Sequence, residues 1–169
     1  MEDFDLLNLN SVLIEFADYF VEQARKNLKE AQPFNHIASG ALYNNIQTHV
    51  KVEDMEYEVS VDLEDYWIYL EKGTKPHYAP IEPLRKWVQI KPVLPRVMTL
   101  KNGKQILPTV EQLPYIVRAK IARDGTPATN FFKEAKEDAL KLFEEKIQEA
   151  LVKDVTLWIQ TNLSNFLII

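Results

Sequence analysis

Between residues 11 and 31, apolar side chains recur every three or four positions, at Val12, Phe16, Phe20, Ala24, Leu28 and Ala31. That period lines one face of a helix. Asn10 or Ser11 is placed to cap its first turn, and Pro33 to end it. Residues 35–38 read as loop, and residues 39–46 (Ser-Gly-Ala-Leu-Tyr-Asn-Asn-Ile) carry no decisive period. The period then changes to two. Residues 46–52 and 57–63 alternate β-favouring side chains on either side of acidic Glu53, Asp54 and Glu56 around Met55, which predicts an antiparallel pair.

The aromatic run Tyr66-Trp67-Ile68-Tyr69, within residues 65–70, reads as a core strand, and Gly73 and Pro76 force a break after it. A short helix over residues 84–90 follows Pro83, since proline is tolerated in a first helical turn. Residues 91–108 hold three prolines and the dipeptide Asn102-Gly103. This dipeptide predicts a two-residue hairpin turn with positive φ angles, its arms at 97–100 and 105–107. Residues 110–123 return to helical spacing, with Pro114 limiting where that helix begins and Gly125 placed as its left-handed cap.

Thr126-Pro127 or Thr129-Asn130 opens a long helix with an apolar stripe of Phe132, Ala135, Ala139, Phe143, Ile147, Ala150 and Leu151. Glu137 and Lys141 stand four apart on its wet side. A greasy segment follows over 155–169, including Leu157, Trp158, Ile159 and Leu163. The plan is α+β: an antiparallel sheet packed against long helices, with a projecting β-hairpin and a C-terminal arm. One domain over 1–169 is expected, with a core at 11–150, the hairpin at 91–108 and the arm at 152–169.

Composition narrows the function. With 46% apolar and 27% charged residues, the chain of 169 residues has the balance of a globular protein. No apolar run approaches the roughly 20 residues of a membrane span. Residues 1–5 are acidic where a secretory leader is basic, so the expected site of synthesis and residence is the cytoplasm. The absence of cysteine removes disulfides, thiolate metal sites and thiol nucleophiles. A formal charge of −5 disfavours gripping nucleic acid phosphates and suits a channel through which DNA slides without sticking.

Candidate chemistry is sparse. His36, His49 and His77 form no pair at helical metal-ligand spacing. The carboxylates Asp62, Glu64, Asp65 and Glu71 are of the type that holds a divalent cation in a nuclease. Such a site also wants a nearby strand lysine, and the one Glu-x-Lys, Glu134-Ala135-Lys136, falls on the solvent side of the last helix. The four glycines, Gly40, Gly73, Gly103 and Gly125, are isolated turn signals rather than a phosphate cradle. No serine sits in a Gly-x-Ser-x-Gly elbow. The aromatic run lacks the interleaved Arg or Lys of a base-stacking surface.

Several blocks together carry a family likeness. Ser39-Gly40-Ala41-Leu42 with Ile46, the strand pair, Tyr66 through Leu70 into Glu71-Lys72-Gly73-Thr74, then Ile121-Ala122-Arg123-Asp124-Gly125 and Pro127 through Phe131-Phe132 to Ala135 follow in order. Over residues 11–150 this pattern resembles the tail-completion (neck) proteins of tailed bacteriophages. The resemblance implies a non-enzymatic virion subunit, made in the host cytoplasm and needing no cofactor. It also implies a homo-oligomeric ring of about six or twelve copies. Its partners would be a portal or adaptor ring and tail proteins, with DNA passing through the lumen without specific binding and no membrane contact.

Interface residues expected on this reading are Leu42, Ile46, Tyr66, Trp67, Gly73, Thr74, Asn102, Gly103, Trp158, Phe166, Leu167 and Ile168. The chain departs from the family pattern at Tyr43-Asn44-Asn45, where a basic residue is common, and the hairpin and the arm look like additions. Two competing functions are a metal-dependent nuclease built on the four carboxylates and a cytosolic module presenting its aromatic strand to a peptide.

Overall fold

A computed structural model describes residues 6–30, 39–53, 56–91 and 93–166. In chain order its elements are α1 (Leu7–Glu30), α2 (Ala41–Asn45), β1 (Gln47–Glu53), β2 (Glu56–Asp62), α3 (Trp67–Lys72), α4 (Ile81–Ile90), β3 (Met98–Thr99), β4 (Gln105–Ile106), a 3₁₀ turn (Val110–Gln112), α5 (Leu113–Asp124) and α6 (Phe131–Phe166). The expected α+β class is observed. Contacts group these elements into two compact units, one of Met1–Asn27, Asn45–Leu63 and Phe131–Ile169, the other of Leu28–Asn44 and Glu64–Asn130.

The first unit is built on α1 running antiparallel to α6. Phe20 meets Phe132 with ring centroids 5.0 Å apart, and Phe16, one turn earlier in α1, and Tyr19, the residue before Phe20, flank Phe143 at 5.8 and 5.7 Å. Earlier still, Leu6 and Leu9 pack with Ala150. Ala17 and Ala24 on α1 and Ala135 and Ala139 on α6 are buried. Such small residues let two helices approach closely. Most of the predicted stripe is therefore core, with two shifts. Phe131 is fully buried where Phe132 is only partly so, and Leu151 is exposed.

Helix α1 begins before its predicted cap. Asn10 and Ser11 lie inside the helix, and Leu6 accepts the first helical hydrogen bond, from the Asn10 N–H at 2.9 Å. The freed N–H groups at this end are satisfied from α6, where Asp154 takes up Asn8 and Leu9. Ala31, Pro33 and the loop 35–38 lie outside the described residues.

The strand pair forms as predicted, one residue out at each end, with Val50 opposite Val59 and His49 opposite Ser60. Tyr57 carries β2 onto the Leu6–Leu9–Ala150 cluster. Arg25 on α1 donates to the Ile46 carbonyl at 3.2 Å just before β1.

The second unit holds three corrections. The aromatic run is helical, not a strand: α3 starts at Trp67, whose N–H bonds the Glu64 carbonyl at 2.9 Å. Its exposure explains why. Trp67, Ile68 and Leu70 are half-buried and Glu71 buried, while Tyr69 points to solvent, a helical pattern that strand alternation does not produce. Helix α4 starts at Ile81, three residues earlier than expected, with Pro83 accommodated in its first turn. The hairpin exists, but its loop has three residues, not two. Leu100 N–H bonds the Lys104 carbonyl at 2.8 Å, and only Gly103 has a positive φ, of 80°. Asn102 contributes through its side chain, which accepts the Lys104 N–H at 3.1 Å. This is the three-residue loop that places glycine in the left-handed region.

Candidate functional site

Of the blocks that carry the family likeness, residues 39–42, 66–74 and 121–130 meet one another in the second unit, while Ile46, the strand pair and residues 131–135 belong to the first. Gly73 ends α3 with φ 66°, and Gly125 ends α5 with φ 73°. The threonines that follow form an isolated antiparallel bridge. Thr74 N–H donates to the Thr126 carbonyl at 3.0 Å, Thr126 N–H donates back at 3.1 Å, and the two hydroxyls lie 2.9 Å apart. A Cβ on Gly73 would stand 2.3 Å from the Thr126 carbonyl oxygen, and one on Gly125 2.0 Å from that of Thr74. Both glycines are needed for positive φ and for backbone-to-backbone approach.

The chain after this bridge closes the end of α3. Thr129 bonds the Leu70 carbonyl through both N–H (2.9 Å) and Oγ1 (2.8 Å), and Asn130, at φ 52°, donates its N–H to the Glu71 carbonyl at 3.1 Å. At the other end of α3, the Tyr66 hydroxyl accepts the Leu42 N–H at 3.1 Å, joining the Ser-Gly-Ala-Leu block to the aromatic run. These blocks thus hold a fold together, and each is explained by its partner block.

The expected interface residues are scattered. Leu42 and Ile46 are buried within the chain, and Trp67, Gly73 and Thr74 are half-buried. Tyr66, Asn102, Gly103 and Trp158 are exposed. Phe166 closes α6, and Leu167 and Ile168 lie outside the described residues.

Trp158 belongs to an apolar surface on α6. Because α1 begins beside Asp154, the turns of α6 that follow have no α1 alongside. Those turns span 12 residues, or about 18 Å of helix. The expected arm is thus the uninterrupted continuation of α6. On it Val152, Leu157, Trp158, Ile159 and Leu163 are exposed, up to 64% at Val152. Residues 155–169 contain no Asp, Glu, Lys or Arg. Polar side chains here bond their own helix: Thr161 Oγ1 donates to the Leu157 carbonyl and Asn162 Nδ2 to that of Trp158, each at 2.9 Å. Those donors can be covered without losing their hydrogen bonds.

The residues considered for chemistry stand apart. His49 Nε2 lies 3.0 Å from Asp62 Oδ2 across the exposed face of the ribbon, and His77 Nδ1 lies 2.9 Å from the Lys75 carbonyl. His36 is outside the described residues. Among the described residues no three His, Asp or Glu side chains gather as metal ligands, and no helix is long and apolar enough to cross a membrane. Glu71 is buried, away from solvent, while Asp62 and Asp65 are exposed. On the last helix Glu137 pairs with Lys133 at 3.8 Å.

A run of cations lies in the middle of the chain. Residues 83–110 carry Arg85, Lys86, Lys91, Arg96, Lys101 and Lys104 and no acid, a bias hidden by the net negative charge of the whole chain. Arg85 donates to the Tyr115 hydroxyl at 2.7 Å, which together with Glu82 raises its already high pKa. Partial burial lowers that of Lys91. Arg118 lies 5.5 Å from the Tyr78 ring centre. Arg96, Lys101 and Lys104 are exposed around the hairpin.

Comparisons with protein-family models, with curated proteins and with solved structures found no match to this chain.

Proposed function

We propose that this chain is a structural subunit of a tailed-bacteriophage neck, assembling with copies of itself into a ring that joins the portal or adaptor to the tail and leaves a passage for DNA. The observation that carries the reading is the apolar end of α6 beyond Asp154. Side chains such as Leu157, Trp158, Ile159 and Leu163 contribute roughly 1.5–3 kcal/mol each when fully buried, and a contiguous patch of this kind marks a surface for another protein. The order of blocks shared with neck proteins selects the kind of assembly. The Gly73–Thr74 and Gly125–Thr126 crossing supports it as a rigid scaffold feature in the region of likeness.

The test is the mass of the purified chain by light scattering, with negative-stain images, alone and mixed with its portal. The expected result is a closed ring with a central hole. A chain that stays monomeric at tens of micromolar, with and without portal, overturns the reading.

A further inference from the structure

The two β-ribbons of this protein carry opposite charge. The β3–β4 hairpin and its flanks, residues 83–110, contain cations and no Asp or Glu, whereas residues 47–63, which include β1 and β2, contain Glu53, Asp54, Glu56, Glu58 and Asp62 against the single cation Lys51. On the first ribbon Arg96, Lys101 and Lys104 are exposed, and on the second Glu56, Glu58 and Asp62. Each ribbon is also incomplete as a sheet. Each has two strands and no third among the described residues, and two strands alone are marginally stable in water. No described residue of β2 is fully buried, and the hairpin leaves Val97 and Leu107 more than 60% exposed.

We infer that the basic β3–β4 hairpin of one copy docks on the acidic β1–β2 ribbon of the next. The inference rests on the self-assembly proposed above and names the surfaces that make it. Charge complementarity chooses the occupant, because every copy carries both the cationic and the anionic ribbon. It also chooses the symmetry: hairpin on hairpin or ribbon on ribbon sets like charges together, whereas hairpin on ribbon is a head-to-tail contact, the kind that closes into a ring. The apolar side chains interleaved with the cations favour a protein surface over DNA, since phosphate contacts use the cations and gain nothing from Val97 or Leu107.

Charge reversal tests this. Lys101→Glu with Lys104→Glu makes the tip of the basic hairpin acidic, and Glu56→Lys with Glu58→Lys removes the net negative charge of the β1–β2 ribbon. Each variant alone, shown folded by circular dichroism, is expected to associate at least about tenfold more weakly than wild type by sedimentation. An equimolar mixture is expected to recover assembly, because alternating copies restore every hairpin–ribbon pair. Wild-type assembly should weaken with added salt as the charges are screened.

Wild-type assembly by the Lys101→Glu, Lys104→Glu chain, or folded variants that fail to complement each other, overturns the inference and leaves the ring reading standing. So does loss of binding to a labelled duplex DNA with assembly intact, which assigns the hairpin to DNA. A wild-type chain that never associates removes both.

Discussion

Asp154 Oδ2 accepts the backbone N–H of Leu9 at 2.8 Å across a separation of 145 positions. The other carboxylate oxygen accepts from the Asn8 N–H at 3.1 Å and the Asn8 side-chain amide at 2.6 Å. A carboxylate from α6 therefore does for α1 what a capping side chain ordinarily does from within its own helix: it satisfies early N–H groups and meets the positive end of the helix dipole. The same contact marks where α6 stops having α1 beside it.

Asp154 is buried, so removing it leaves donors without partners in a covered site. Asp154→Ala is expected to cost about 1–3 kcal/mol, seen as a lower urea midpoint at unchanged slope. Asp154→Asn keeps one acceptor and should cost less. Equal stability of wild type and Asp154→Ala would mean that α1 is started by something else.

The glycines divide by what surrounds them. Gly125→Ala combines a positive φ with a Cβ 2.0 Å from the Thr74 carbonyl oxygen, and Gly73→Ala is nearly as crowded. Each is expected to destabilise by more than about 3 kcal/mol, because backbone must move on both sides of the threonine bridge. Gly103→Ala shares the positive φ but meets nothing within 4 Å, so about 1 kcal/mol is expected. Equal losses at Gly103 and Gly125 in thermal melts would refute the close crossing.

Phe131 opens α6 with no exposed surface, and its carbonyl accepts from the Asn27 side chain at 3.2 Å. Phe131→Ala is expected to lower stability by about 3–5 kcal/mol through the cavity it leaves. Leu140→Ala, at an exposed position on the same helix, should fall within about 0.5 kcal/mol of wild type. Denaturant titration of the two variants side by side checks the assignment of inside and outside.

Acid should act on one surface pair in a defined direction. The Arg123 guanidinium donates to both oxygens of Asp124, at 2.7 Å each, and this hydrogen bonding holds the carboxyl below its usual range. A folded-state value below the unfolded one means the pair contributes above the unfolded carboxyl pKa of about 3.9, and that the contribution fades as pH falls through the lowered value. NMR titration of the Asp124 carboxyl should show the depressed midpoint, and Arg123→Gln should return it toward normal. Both groups are fully exposed, so the effect on stability is small.

Assembly should separate from folding on the free end of α6. Leu157→Asp with Leu163→Asp places charge on two exposed positions. It is expected to lower self-association at least about tenfold while leaving the melting temperature of the dissociated chain within a few degrees of wild type. A large drop in that melting temperature would show that this surface is covered within the chain.

Local pattern sufficed wherever one segment's own residues set the outcome. The 3.6-residue spacing of Phe16, Phe20 and Ala24 gave the face of α1, the alternation after Ile46 gave the ribbon, and Asn102-Gly103 gave the place of the hairpin turn though not its length. The α+β class follows from those three. Local pattern misleads where the deciding partner is distant along the chain. Asn10 and Ser11 looked like caps because Asp154 is invisible from position 10. The aromatic run looked like a strand because its composition suits one, and the closing bonds from Thr129 and Asn130 come from almost 60 positions away.

The surfaces divide the same way. Greasy and charged stretches can be counted in the sequence, but Leu42 and Ile46 are covered while Leu157 and Leu163 are not, and only packing decides that. A side chain's chemistry belongs to its residue; its exposure, and so its availability to a partner, belongs to every segment that folds over it.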